Sequence, residues 1–293
     1  MTGSDDGDRD SIGTTVATID ATVGTIASPA PDTGLAPVDR RIFAVAGAVF
    51  VVLMVLSGRY GFHRDELYFL DCARHLSAGY VDQPIGTPLL ARFSLWIFGM
   101  SLPGLRMWPA LAAAGTVVLG GLLAREFTGR RSAQLLASVA VATMPAVIGS
   151  GHLFGPTAFD LFFWTALTLV VARLGRTGDP RLWIPAGIVL GIGLANKHSI
   201  GFLALALCVG LVASGGRALL VNRWFVAGAA IAAAFAVPDL WWQAGHHWAT
   251  IAMTNALNHE NGGVGKIPTW IAGQLLMTSV ALVWMWMVGL VFL

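Results

Sequence analysis

The sequence predicts an all-α integral membrane protein: about eight transmembrane helices, with two further interfacial helices in the first outer loop. Three observations carry this. The mean hydropathy is +0.70 with 12% charged residues, against roughly 25% charged in soluble domains. Apolar runs of near-spanning length recur from residue 42 to 291. The Lys and Arg residues between those runs fall into an alternating pattern.

Residues 1–38 are rich in Asp, Gly, Ser, Thr and Pro, with neither a sustained apolar run nor a basic-then-apolar leader pattern, and are expected to be a disordered cytoplasmic tail. Residues 39–293 are expected to form one multi-spanning domain that stops within an apolar run, as a C-terminally truncated chain would. Its predicted spans are 42–57, 107–124, 132–149, 158–174, 182–195, 199–214, 224–243 and 269–291, each set against the roughly 20 residues that cross about 30 Å of hydrocarbon.

If the eight spans alternate, Arg40, Arg41, Arg125, Arg130, Arg131, Arg173, Arg176, Arg181, Arg217 and Arg223 share one side. Short loops rich in Lys and Arg stay cytoplasmic, which puts the N-terminus inside and predicts a multi-pass plasma-membrane protein. Beyond the tail, Asp65, Glu66, Asp71, Asp82, Asp160, Asp239 and Glu260 map to the outer side, as do all seven histidines; Glu126 and Asp179 map inside. Ionisable groups at a membrane are costly and mark functional cavities. Basic residues are scattered in loops rather than gathered in a stripe, which argues against a nucleic-acid partner. Cys72 and Cys208 have no metal-ligand spacing and read as small buried apolar residues.

The first outer loop, about Arg59 to Arg106, is too long for a connector. One helix is expected to start at Asp65 with Phe69, Ala73 and Leu76 on one face, and a second to run from Pro84 to about Phe98. The densest polar run is His63-Arg64-Asp65-Glu66. Two carboxylates beside a cation can supply one ionised base, while Asp65 also suits the N-cap of the helix that follows; the two readings are compatible. Asp82 and Gln83, before Pro84, offer a carboxylate and an amide to a sugar hydroxyl, a phosphate or a metal, or form an ordinary turn. Asp160 begins a span, either as a helix-end charge or as a second acidic site in a cavity. Lys197, in Asn196-Lys197-His198-Ser199 between two spans, either binds an anion such as a phosphate or snorkels to the interface. His246 and His247, with Asp82, are a possible divalent-metal set, although nothing in the sequence requires a cofactor.

The runs Phe62-His63-Arg64-Asp65-Glu66-Leu67-Tyr68-Phe69, Gly79-Tyr80-Val81-Asp82-Gln83-Pro84, Leu105-Arg106-Met107-Trp108-Pro109-Ala110-Leu111 and Asn196-Lys197-His198 resemble the dolichyl-phosphate-mannose protein mannosyltransferases. These are GT-C glycosyltransferases, a group that includes the aminoarabinose transferases of lipid A, and the resemblance spans residues 42–293. It implies a polyprenyl-phosphate sugar donor, a lipid, glycan or protein acceptor, an outer-face site, and inversion with Asp65 as base beside Glu66. It further implies that Asp160 is a second acidic residue, Asp82 the acid before the second interfacial helix, and Lys197 a phosphate contact; Arg64, Gln83 and His198, which neighbour these acids and Lys197 in the chain, are candidates for binding substrate or phosphate with them. Where the aminoarabinose branch carries a lysine after that acid, this chain has Gln83. The rival class is a transporter or flippase with an outer polar vestibule; transporters place ions near the midplane in matched halves, and no such halves are visible.

Overall fold

The computed structural model describes residues 35–128, 130–278, 283 and 287. The expected tail falls almost wholly outside them, as does about half of the expected last span. Among the described residues every extended element is helical, and the single β-bridge joins Gly79 to Pro84.

The helices follow the apolar runs: α1 Arg41–Leu56, α2 Arg64–Arg74, α3 Gly86–Phe98, α4 Leu102–Thr128, α5 Arg131–Ala142, α6 Pro145–His152, α7 Pro156–Thr177, α8 Trp183–Asn196, α9 Ile200–Ala213, α10 Arg223–Gly245, α11 Ala249–Asn261 and α12 Ile267–Thr278. Among the described residues three helices, α4, α7 and α10, are long and apolar enough to cross a bilayer. The pair α5–α6, bent by 56°, makes a fourth if it is one span. By this measure the crossings do not reach the eight expected. At 1.5 Å per residue, α1 with 16 residues and α8 and α9 with 14 each fall short of about 30 Å. The break between α5 and α6 has a local cause: Pro145 has no N–H to extend the hydrogen-bond ladder, so the helix ends at Ala142 and restarts.

Two short helices do follow α1 where two interfacial ones are expected, with shifted details. The N-cap of α2 is His63 and not Asp65: its ring accepts the Asp65 amide, while the Glu66 carboxylate accepts the His63 amide to close a capping box. Phe69 and Ala73 are buried as expected, joined by Leu70 and Cys72, whereas Leu76 lies past the helix end and is exposed. Helix α3 turns Thr87, Pro88, Ala91 and Ser94 toward the bundle and leaves Leu89, Phe93, Trp96 and Ile97 facing out.

Three apolar clusters fill the bundle: α1 against α4 and α6 around Leu53 and Val117; α7 against α8 and α9 around Leu174 and Ile200; and the loop helices against α4 and Phe154. Helices α8 and α10 touch backbone to backbone where Gly187 faces Gly228, leaving no room for a Cβ at either position. At the end opposite the loop helices, the segment before α1 is pinned: Gln134 accepts the Asp39 amide at 3.0 Å, and Arg125 donates to the Ala36 carbonyl at 2.8 Å.

Candidate functional site

Two ionic assemblies occupy the end of the bundle that carries α2 and α3, and they differ in how closed they are. The first is buried. The Arg106 guanidinium meets both Glu66 oxygens, at 2.8 Å to Oε1 and 2.7 Å to Oε2. It also donates to the carbonyls of Ser57, Tyr60 and Gly61 and lies 4.1 Å from the centre of the Tyr60 ring. Glu66 further accepts the amides of His63 at 2.8 Å and Phe154 at 3.1 Å. Both side chains are at most 1% exposed. Burial pushes the Glu66 carboxyl up, but the Arg106 hydrogen bonds and the two amides outweigh it and hold it below the ordinary value. With four N–H groups on its two oxygens, Glu66 ties α2 to α4 and to the loop before α7.

Asp65, one residue earlier, faces the other way: it is 56% exposed and accepts from Arg64 at 3.1 Å. Tyr68 follows it at a spacing that shares a helix face and donates to Asp82 at 2.6 Å. That face brings Asp65 and Asp82 to one side of α2. Burial, followed by the Asp82 hydrogen bond, raises the Tyr68 hydroxyl strongly, so it stays a donor at any physiological pH.

The second assembly is the segment Asn196–Ser199, which closes α8 and opens α9. Its side chains reach three elements, α3, α7 and α10. Asn196 accepts from Thr87 of α3 at 2.8 Å and donates to the Pro156 carbonyl at 3.0 Å. Ser199 donates to Asp160 of α7 at 2.8–2.9 Å, and Lys197 lies 3.7 Å from the same carboxylate. His198 Nε2 meets Asp239 of α10 at 2.8 Å. Lys197 and His198 are each 43% exposed and Asp160 13%, so this assembly is open to ligand where the first is sealed. The structure thus brings Asp160, Lys197 and His198 together. Among the described residues no hydrogen bond or ion pair joins them to Asp65 or Asp82. Gln83 is buried, and neither its amide oxygen nor its nitrogen has a partner among the described residues.

Asp82, His246 and His247 do not converge. Asp82 is held by Tyr68, and the His246 ring stacks on Trp242 at 3.9 Å with Nδ1 against the Trp242 carbonyl. Among the described residues no group of three or more His, Cys, Asp or Glu side chains is placed to hold a metal ion.

Two residues outside the sequence-derived set belong to the site's frame. Arg106 stands in a run singled out above, but its pairing with Glu66 spans 40 residues and leaves no local signal. Asp239 is a lone acid inside an apolar run after Pro238, and a lone carboxylate at that depth is itself a signal.

Beside the second assembly runs an apolar groove of about 980 Å³. One wall is the outward face of α3 with Leu89, Phe93 and Trp96; the others come from Phe163, Ile192 and Phe235. Asn196 and Arg92 stand among its lining residues, and Asn196 directly precedes Lys197. An apolar groove whose lining carries one cation, Arg92, suits an amphiphile with a long hydrocarbon chain and an anionic head.

A family model described as dolichyl-phosphate-mannose-protein mannosyltransferase matches residues 82–242, more than half of the 293 residues. The lipid A galacturonosyltransferase RgtD of Rhizobium johnstonii is 22% identical over 230 residues, covering 77% of this chain and 47% of its own length. The chain therefore spans about half the length of that curated relative. No solved structure matches.

Proposed function

Since the chain belongs to the dolichyl-phosphate-mannose-protein mannosyltransferase family, we propose that it is a membrane glycosyltransferase that moves a sugar from a polyprenyl-phosphate donor to an acceptor hydroxyl. The observation that carries this is the apolar groove whose lining includes Phe159 and Asn196, the residues that directly precede Asp160 and Lys197 in the chain. It offers a long hydrocarbon chain an apolar groove of about 980 Å³, and the half-exposed Lys197, next after the lining residue Asn196, is the ammonium assigned to the phosphate at the chain's end.

In this reading Lys197 balances the donor phosphate, with His198 next to it in the chain and Arg64 a further cation beside Asp65. Asp65, exposed on α2, takes the proton from the acceptor hydroxyl. That oxygen then forms a bond to the anomeric carbon from the face opposite the phosphate, the bond from carbon to phosphate oxygen breaks, and the polyprenyl phosphate leaves as an anion with inversion at carbon. Asp160, held by Ser199 and Lys197, is the second carboxylate of the cavity, and Asp82 faces the acceptor side with Tyr68. Glu66 holds α2 in place through Arg106 and takes no proton. The site lies on the outer face of the plasma membrane, where the polar loops gather under the arginine-inside orientation. A lipid acceptor is favoured over a protein by the lipid A relative.

The test is transfer from a radiolabelled polyprenyl-phosphate sugar in membranes carrying the full-length protein, with wild type beside Asp65→Asn at matched expression. Loss of transfer in the variant supports the reading and its base. Equal transfer removes Asp65 from that role, and no transfer by wild type from any donor tried moves the assignment to a transporter.

A further inference from the structure

We infer that Asp239 is a positioning residue, which acts through His198 to hold the Lys197 segment in register with the Gly79–Pro84 loop. The pairing is direct, with His198 Nε2 2.8 Å from Asp239 Oδ2. Asp239 is 5% exposed, so it does not meet a ligand itself. Its other oxygen, Oδ1, is buried without a hydrogen-bond partner among the described residues. An unsatisfied buried oxygen is a cost that a purely structural position would shed, and here it sits where two functional segments meet.

On one side Oδ1 presses against Gly79: a Cβ there would lie 2.6 Å from it and 3.2 Å from Trp242, so only glycine lets the loop come this close. That loop is closed on itself by the Tyr80 amide donating to the Gln83 carbonyl at 3.0 Å, and Gln243 of α10 donates to the Tyr80 carbonyl at 3.0 Å. It carries Asp82. On the other side, through His198, Asp239 fixes the four residues on which Lys197 stands. Lys197 meets Asp160 at only 3.7 Å, an ion pair too loose and too exposed to fix its own backbone. Asn196 and Ser199 hold the segment to α3 and α7, while the tie to α10 rests on His198. Asp239 thereby couples the acidic loop to the cationic segment.

The chain has two lysines, Lys197 and Lys266, which makes a measurement independent of activity possible. Full-length protein in detergent is treated with a water-soluble amine-reactive ester, and the labelling rate of each lysine is followed by mass spectrometry. Asp239→Leu fills the space but removes the acceptor, and His198→Leu removes the same tie from its half-exposed side. Both are expected to speed Lys197 labelling at least about threefold relative to Lys266, with the double variant no faster than either single one. Asp239→Asn, which keeps an acceptor for the imidazole N–H, is expected to restore the wild-type ratio. Unchanged Lys197 labelling in His198→Leu, additive increases in the double variant, or failure of Asn to restore the ratio overturns the inference.

Its bearing on catalysis rests on the transferase reading, and the two fail separately. If transfer occurs, Asp239→Leu is expected to raise the donor KM about tenfold with kcat little changed. An unchanged KM beside altered labelling removes the link to the reaction and keeps the positioning. Altered labelling with no transfer by wild type sinks the transferase reading alone.

Discussion

Glu66 and Asp160 are both carboxylates near the same end of the bundle, and both pair with a cation, yet the pairs are built to opposite specifications. Glu66 receives four N–H donors and is 0% exposed, with Arg106 at 1%. Asp160 receives one hydroxyl and an ammonium at 3.7 Å that is 43% exposed. A buried bidentate pair is rigid, and its loss is costly because the partner left behind is a dry, uncompensated charge. An open pair is weak and can exchange its partner for a ligand. The contrast separates the residues that hold α2 in place from those that can meet a substrate, and sequence proximity to the Asp65-Glu66 pair would have sorted them wrongly.

The largest effect should come from breaking the closed pair. Arg106→Ala strands Glu66 among apolar neighbours and should cost about 3–5 kcal/mol, read as a lower thermal unfolding midpoint in detergent. Glu66→Gln tests the same pair through pH. Because the folded-state carboxyl is held below its ordinary value of 4.5, its contribution is complete above that pH and is lost as the pH falls further. Wild-type stability should therefore drop on acidification below 4.5 more steeply than that of Glu66→Gln. Parallel acid limbs in the two proteins would contradict the closed pair.

The open pair should respond in the opposite sense. Asp160→Asn keeps the acceptor for Ser199 and removes only a loose ion pair, so stability should change by less than about 1 kcal/mol. Transfer of sugar should nevertheless fall on the order of a hundredfold. A large stability loss with activity per folded molecule intact would erase the distinction between the two pairs. Tyr68→Phe sits between them: it removes the 2.6 Å hydrogen bond to Asp82, so stability should fall by about 1 kcal/mol while transfer drops only a few-fold.

How much of this was legible in the sequence follows from the range of the interactions involved. Apolar runs located the helices, and the Asn196–Ser199 break and both helices of the first loop were visible as local interruptions of hydropathy. The run 132–149 read as one span because hydropathy averages over Pro145, although that proline was the signal for the bend. His63 was not read as an N-cap because imidazole is not among the usual capping groups, and the Asp65 beside it is. Asp160, Lys197 and His198 could be singled out as polar residues in apolar surroundings, but the partner of each lies about 40 residues away. The same distance hid Arg106 from Glu66. The groove was illegible for another reason: Leu89, Phe93 and Trp96 look like the buried face of α3, and only the packing of Thr87, Ala91 and Ser94 shows that they face outward.

The smallest effect is expected at the opposite end of the bundle, where a third carboxylate tests whether burial alone makes a pair costly to break. Glu126 is 4% exposed like a core residue, but it shares three arginines: Arg176 at 2.6 Å, Arg173 at 3.9 Å and Arg125 at 4.0 Å. Arg176 and Arg173 are 37% and 55% exposed. Removing one cation leaves Glu126 still compensated by two others, which is what Glu66 lacks. Arg176→Ala should therefore cost at most about 1 kcal/mol. The loss should be larger at low ionic strength than in molar salt, since exposed charges are screened over about 3 Å at 1 M. Unfolding midpoints of wild type and variant at the two salt concentrations measure this directly. A loss as large as that of Arg106→Ala, unaffected by salt, would mean that burial of the carboxylate, rather than the number of its partners, decides the cost.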